Sequence, residues 1–404
     1  MTDLAQALCF ALVLLVPLAS AGLALMNSGL GRSRSAAHAM LAPICVAAVA
    51  ALLYFVCGWS WQSFPSRPAH GVWIAAEPFF LRGLALDSSP ASLAAWLQMF
   101  SVGLAALIPL GAGSERWRLG ASCASTAILA GWTYPLFAHW VWGGGWLAQL
   151  GFLDAGGAST IQAVGGLTAL AMACILGPRA GKYDSQGMPA AFPGHNAVLV
   201  LFGCFLTWVG WIGLNGAGSV LFAGASSSIV RVAVNTTLSA AAGVLAVATL
   251  TRVRFGRPDA SLCANGWTGG LVASSAACAS IAPAAAVAIG AIAGVLVTLT
   301  VEWLDVRWRV DDPAGSISVH AAGGIWGVLA VALFGPGRWQ AQLAGLAALL
   351  VIVLPMTYSL NWLLNRFYPQ RVPAEGEPHG LDLYELGAGA YPEFVTRRDD
   401  FRPR

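Results

Sequence analysis

Asp154-Ala-Gly-Gly-Ala-Ser-Thr-Ile-Gln162-Ala-Val-Gly-Gly-Leu167 and Asp312-Pro-Ala-Gly-Ser-Ile-Ser-Val-His320-Ala-Ala-Gly-Gly-Ile325 are one pattern written twice. Each has an acidic residue, a polar side chain eight positions on, and then a Gly-Gly pair. Both lie at the start of apolar stretches long enough to cross a bilayer. Counting spans from the amino terminus puts Asp154 outside with its helix running inward, and Asp312 inside with its helix running outward. Two copies of opposite direction are the mark of an inverted-topology repeat, related by a pseudo-two-fold axis in the membrane plane. Eight residues at about 1.5 Å each carry Gln162 and His320 roughly 12 Å in from opposite surfaces of a ~30 Å core. Both reach the midplane, where a polar side chain is expensive and points to a permeation pathway.

The composition agrees. Hydrophobic residues make up 57% and charged residues 10%, and mean hydropathy is +0.70. A soluble domain carries roughly a quarter of charged residues, so most of this surface faces lipid. A formal net charge of +3, scattered along the chain, gives no nucleic-acid footprint. The eight cysteines sit almost all in apolar runs without metal-ligand spacing, and read as small packing residues. No His, Cys and carboxylate cluster, phosphate loop or catalytic triad can be assembled, so neither enzyme activity, metal nor cofactor is expected. Forty-seven glycines suit close helix packing in a membrane.

Eleven spans of about 20 apolar residues are expected: Leu4–Leu30, Ala37–Gly58, Ala91–Gly113, Leu119–Trp140, Gly157–Gly177, Ala197–Val220, Val230–Thr251, Leu262–Ile281, Ala284–Trp303, Gly315–Gly335 and Ala341–Leu364. The first is too long for the apolar part of a signal peptide and reads as a span. Of the 21 basic residues, seventeen fall in one set of loops and the tail; only Arg67, Arg82, Arg231 and Arg338 fall in the other. The positive-inside rule then places the amino terminus outside and the carboxyl terminus in the cytoplasm. The expected fold is an all-α membrane domain over 1–366, with five-plus-five inverted halves at about 1–180 and 190–338, a last helix at 341–364, and a cytoplasmic tail over 367–404.

Further stretches carry a resemblance. They are Ala21-Gly-Leu-Ala-Leu-Met-Asn-Ser-Gly-Leu-Gly-Arg-Ser33, Ala138-His-Trp-Val-Trp-Gly-Gly-Gly145, Trp211-Ile-Gly-Leu-Asn-Gly-Ala-Gly-Ser219, Gly380-Leu-Asp-Leu-Tyr-Glu385 and Ala390-Tyr-Pro-Glu-Phe394. With the two repeat segments, and in this order, they make the chain resemble the ammonium transporter family (Amt/Mep/Rh) over essentially its whole length. The resemblance implies ammonium, ammonia or methylammonium as substrate, and a homotrimer with one pore per subunit in the cell membrane, the inner one in a Gram-negative cell. It also implies an outer site with an aromatic wall and a hydroxyl, then a Phe gate, then two hydrogen-bonded pore histidines. Trp142 matches the aromatic wall, which can hold a cation by its ring quadrupole. Ser219 matches the hydroxyl, with one extra residue between Asn215 and Ser219. Asp154 matches an acid that supports the site, and His320 matches the second pore histidine. The tail match implies contacts with the cytoplasmic face and a docking place for a PII-type regulator.

Three positions depart from the family pattern. Gln162 stands where the first pore histidine belongs. Ser101 takes the outer Phe-gate position, with Phe100 one residue early, and Leu214 takes the second. An amide hydrogen-bonds but does not titrate as imidazole does, so a proton relay across the pair is interrupted. Three functional readings stay open: an ammonium transporter that tolerates the altered pore, an ammonium sensor that keeps the outer site and conducts poorly, and a changed permeant, such as methylammonium or a neutral gas. The other histidines, His38, His70, His139, His195 and His379, read as local packing or solvated groups.

Overall fold

A computed structural model of the chain describes residues 1–64 and 71–394. Arg67, His70, Arg397, Arg398, Arg402 and Arg404 therefore lie outside the described residues. The described residues form helical segments α1 (Asp3–Leu30), α2 (Ser33–Gln62), α3 (Pro90–Ala112), α4 (119–142), α5 (Ala158–Leu176), α6 (Ala197–Phe222), α7 (Ser226–Phe255), α8 (Ala260–Ser274), α9 (Pro283–Trp308), α10 (Ile317–Phe334) and α11 (Trp339–Phe367). Nine of these are long and apolar enough to cross a membrane; α4 and α8 fall outside that set. α4 carries Ser122, Ser125, Thr126, Thr133, Tyr134 and His139 along it, and α8 is only 15 residues long. The eighth expected span is helical only as far as Ser274. Beyond it the chain turns, and the carbonyls of Ser275 and Ala276 accept from the Gly156 and Ala155 N–H groups at 2.8 and 3.2 Å.

Burial separates centre from periphery. The most apolar windows of α3, α5 and α10 are 78, 83 and 61% buried, whereas no other of the nine exceeds 44%. Large side chains such as Leu4, Val198, Val230, Val253 and Val351 are left exposed on the outer helices, as expected of a surface whose solvent is lipid. The two repeat segments thus sit on central helices.

The pseudo-two-fold relation appears in the packing. A methyl group on Gly22 of α1 would lie 2.5 Å from the Gly203 carbonyl oxygen of α6, and one on Gly203 would lie 2.5 Å from the Gly22 carbonyl oxygen. α5 and α10, the last helices of the two halves, cross in the same reciprocal way. A methyl on Gly166 would meet the His320–Ala321 backbone, and one on Gly324 would meet Ala158 O and Ala163 N. Small residues let the backbones touch, and close packing replaces the hydrophobic drive that lipid does not supply. This is the physical reason for the Gly-Gly pair in each repeat.

Candidate functional site

Each repeat starts with a carboxylate that closes a helix end. Asp154 Oδ1 accepts from the N–H groups of Gly157 and Ala158 at 2.9 and 2.7 Å. Its Oδ2 accepts from Ser159 N and Thr160 N at 2.9 and 3.0 Å, and from both hydroxyls. In the second copy Asp312 accepts from Ser316 N and Ile317 N at 2.9 and 2.7 Å. Burial pushes the Asp312 carboxyl up to about 6, against the opposing pull of those two N–H groups. These carboxylates satisfy the orphan N–H groups of a buried helix start. Asp154 thus gathers six donors from the start of α5 on its carboxylate. Its backbone carbonyl does a second job, accepting from Trp142 Nε1 at 2.7 Å and so fixing the indole.

Beyond each carboxylate the helix begins with a π-helical turn, Ala158–Ala163 in α5 and Ile317–Ala322 in α10. Such turns widen a helix by one residue and re-aim side chains. Gln162 and His320 lie in them, both buried, and meet across the Gly-Gly crossing with His320 Nδ1 2.7 Å from Gln162 Oε1. Because Oε1 only accepts, His320 donates from Nδ1 and its Nε2 is the bare nitrogen. Gln162 Nε2 has no partner among the described residues, nor do the nearby buried Ser318 Oγ and Asn27 Nδ2. On the side of the carboxyl-terminal tail, His320 borders a cavity lined also by Met26, Asn27, Asn265, Thr268 and Ser316. It gives the centre of a water-sized molecule about 10 Å³, close to the threshold for holding one such molecule.

The remaining expected residues are more dispersed. Ser101 is buried, and its hydroxyl donates to Leu97 O at 2.9 Å. The Phe100 ring is turned to Trp96, 5.8 Å between centroids, and Trp96 in turn meets the half-exposed Phe10. Consecutive residues on a helix point about 100° apart, so the Phe100 ring and the Ser101 hydroxyl leave α3 in different directions. Leu214 is packed in the main core. Ser219 is buried with its hydroxyl 3.6 Å from Cys278 Sγ. The extra residue before it is absorbed in an unbroken α-helix ending at Phe222, which turns everything beyond it by about 100°. One turn past Ser219, the Phe222 ring is stacked on Trp142. The sequence held no signal for Phe222, which matters only through what lies across the fold; Asn27 was a polar residue in an apolar span, inside a stretch that carries the resemblance, and was passed over.

The opposite mouth gathers the tail and the basic loops. Arg179 holds Asp311 with a two-pronged fork at 2.9 and 3.0 Å and Glu115 at 2.7 Å, and Arg32 joins the same Glu115. Burial pulls Arg179 down, but the bonds and charges of Asp311 and Glu115 outweigh it and leave it raised. Arg116 is fully buried and donates to the carbonyls of Gly177 and Asp311 at 2.7 and 2.8 Å; desolvation lowers it to about 10. The tail then caps two helices. Asp382 accepts from Ala37 N and His38 N at 3.0 and 2.7 Å, at the start of α2. Glu385 accepts from Leu119 N at 2.8 Å, at the start of α4, and lies 2.9 Å from His38 Nε2. No group of three or more His, Cys, Asp or Glu able to hold a metal occurs among the described residues.

Known proteins agree with this architecture. The model of the Ammonium Transporter Family matches residues 7–391. The ammonium transporter Amt2 of Archaeoglobus fulgidus is 34% identical, covering 94% of this chain and 86% of its own length. A solved structure titled Sensor Amt Protein superposes with a TM-score of 0.88 at 30% identity, over 94% of this chain and 98% of its own. The crystal structure of Saccharomyces cerevisiae Mep2 gives 0.82 at 26% identity, over 92% and 89%. Matched almost end to end by the family model and by these relatives, this chain belongs to the ammonium transporter family.

Proposed function

We propose that this protein moves ammonium or ammonia across the cell membrane, through a pore in each subunit of a homotrimer. The observation that carries the reading is the Gln162–His320 pair, buried and hydrogen-bonded where the central helices of the two halves cross. A buried polar pair of this kind is costly in a membrane and is kept where a polar species passes. The amino terminus faces outward, the tail faces the cytoplasm, and the eleven helical segments each cross once. Crowding of Arg32, Arg116, Arg179 and Arg371 around the tail supports that orientation. Trp142 captures the protonated amine at the outer mouth, with Ser219 nearby. Ser101 and Leu214 line the way down in place of a phenyl gate, and Phe100 stands aside from it.

His320 offers a bare Nε2 to whatever passes, because Gln162 holds its Nδ1 proton. The amide cannot accept and release a proton in its turn, so no proton is handed between the two side chains. Ammonium that gives its proton to water above the pair crosses as ammonia and takes a proton back from water on the far side, where Asn27 and Ser316 line the cavity and can hydrogen-bond it. Ammonium-evoked current in proteoliposomes, followed across pH beside a stopped-flow vesicle-pH assay, tests this. A vesicle-pH signal with little current is expected; silence in both assays would defeat the transport reading.

One observation favours a second reading, in which the protein senses ammonium and conducts poorly. The structure titled Sensor Amt Protein matches this chain at 30% identity over 98% of that protein. Retained ammonium binding with silence in both assays is its signature. The tail, seated on the starts of α2 and α4, offers its outer surface to a PII-type regulator in either case.

A further inference from the structure

The aromatic site at the outer mouth is closed in this structure. The Phe222 phenyl lies flat on the Trp142 indole, with centroids 4.5 Å apart and planes within 7°. A cation held by an aromatic ring sits over its face, within about 6 Å of the centroid, and on this face the phenyl already fills that space. The indole cannot swing clear, because its Nε1 is tied to Asp154 O and its side chain is buried. Phe222 can. It is the last residue of α6 and only half-buried. The chain leaves the helix there through Ala223 and Gly224, the latter at a φ of +63°. Its other aromatic neighbour, Phe64, is a looser contact at 6.2 Å and 52°.

We propose that Phe222 is the gate of the capture site: its ring covers the Trp142 face, and a protonated amine reaches that face only by displacing it. The inference rests on the reading of Trp142 as the capture residue. It places an aromatic gate at the end of α6, above the capture site, in a chain with Ser101 and Leu214 at the two positions below where phenyl rings were expected. It also gives the gate a basis for selection. An incoming ammonium exchanges a stacked aromatic pair for a cation over indole. A neutral molecule of the same size offers the indole nothing in return, so the stack stays closed against it.

Isothermal titration of methylammonium into the purified full-length protein tests this, with melting temperatures as the check on folding. Phe222→Ala opens the face and is expected to bind roughly two- to tenfold tighter, the affinity equivalent of parting one stacked pair. Phe222→Leu, which keeps bulk but cannot stack as a ring, carries the same test should the alanine variant fail to fold. The gain should vanish in the Phe222→Ala, Trp142→Leu double variant. If Trp142→Leu alone weakens binding while both Phe222 variants bind as wild type or more weakly, the gate is overturned and the capture site stands. If Trp142→Leu binds as wild type, the capture reading falls, and the gate with it.

Discussion

Replacing Gly166 by Ala tests whether the Gly-Gly crossing is what holds the pore pair together. The added methyl would sit 2.7 Å from the carbonyl carbon of His320 and closer still to Ala321 N. Ordinary carbon contacts lie at about 3.5–4.0 Å, so α5 and α10 must part locally by roughly 1 Å. The opposing atoms are backbone, and no side chain can rotate away to absorb the strain. Overpacking of this kind costs typically about 1–3 kcal/mol, a loss that leaves a large helical membrane protein folded. The same displacement acts on a hydrogen bond now at 2.7 Å; lengthened by about 1 Å, it passes the ~3.2 Å limit for a good N–H···O bond. His320 then loses its fixed tautomer. The expected result is folded protein with a modestly lower melting temperature and a large fall in the vesicle-pH signal. Gly165→Ala, which meets the Ile108 side chain as well as Ala105 O, is the companion control for crowding away from the pair. Wild-type transport in Gly166→Ala at normal protein levels would show that the crossing does not set the pore geometry.

Gln162→His should restore a titratable pair and raise ammonium-evoked current above wild type, measured in proteoliposomes at matched protein density. Unchanged current beside a wild type that already conducts briskly would sink the interrupted-relay account. Trp142→Leu should weaken methylammonium binding by up to about thirtyfold, the range of a partly desolvated cation–π contact, with little change in folded yield. The tail should loosen on acidification. Burial raises the Glu385 carboxyl, but the His38 and Leu119 bonds win and hold it below its ordinary value. For a depressed carboxylate the stabilisation is fully present above the unfolded carboxylate range and is lost as pH falls through the lower folded value. Limited proteolysis of the tail should therefore accelerate below about pH 4.5, and Glu385→Gln should be cleaved faster at neutral pH and lose most of that acid limb.

Much of the architecture was legible because a bilayer is a severe solvent. Every span must satisfy its own backbone and carry about 20 apolar residues, so helix positions, and the two-sidedness of the basic loops, are written in composition. The repeat was legible for the same reason: an acidic residue, a polar side chain and a Gly-Gly pair stand out against an apolar background. Pairing of Gln162 with His320 followed from their matched depth. Helix ends were read less well. α8 ends at Ser274 because carbonyls beyond it are claimed by Ala155 and Gly156, partners more than a hundred residues away.

What the sequence determined by itself was family membership, an all-helical membrane-spanning fold and the polar residue that each repeat carries, since these depend on residue type and spacing along one helix. What only the tertiary structure decided were relations between helices. Asp154 spends its carboxylate on six backbone and side-chain groups and its carbonyl on Trp142. Phe100 turns to Trp96, Asp382 and Glu385 cap helices that begin more than 260 residues earlier, and Phe222 lies flat on the Trp142 indole. Spacing along a chain fixes which way a side chain leaves its own helix; what it meets there depends on the rotation and depth of every neighbouring helix, and those are set by packing.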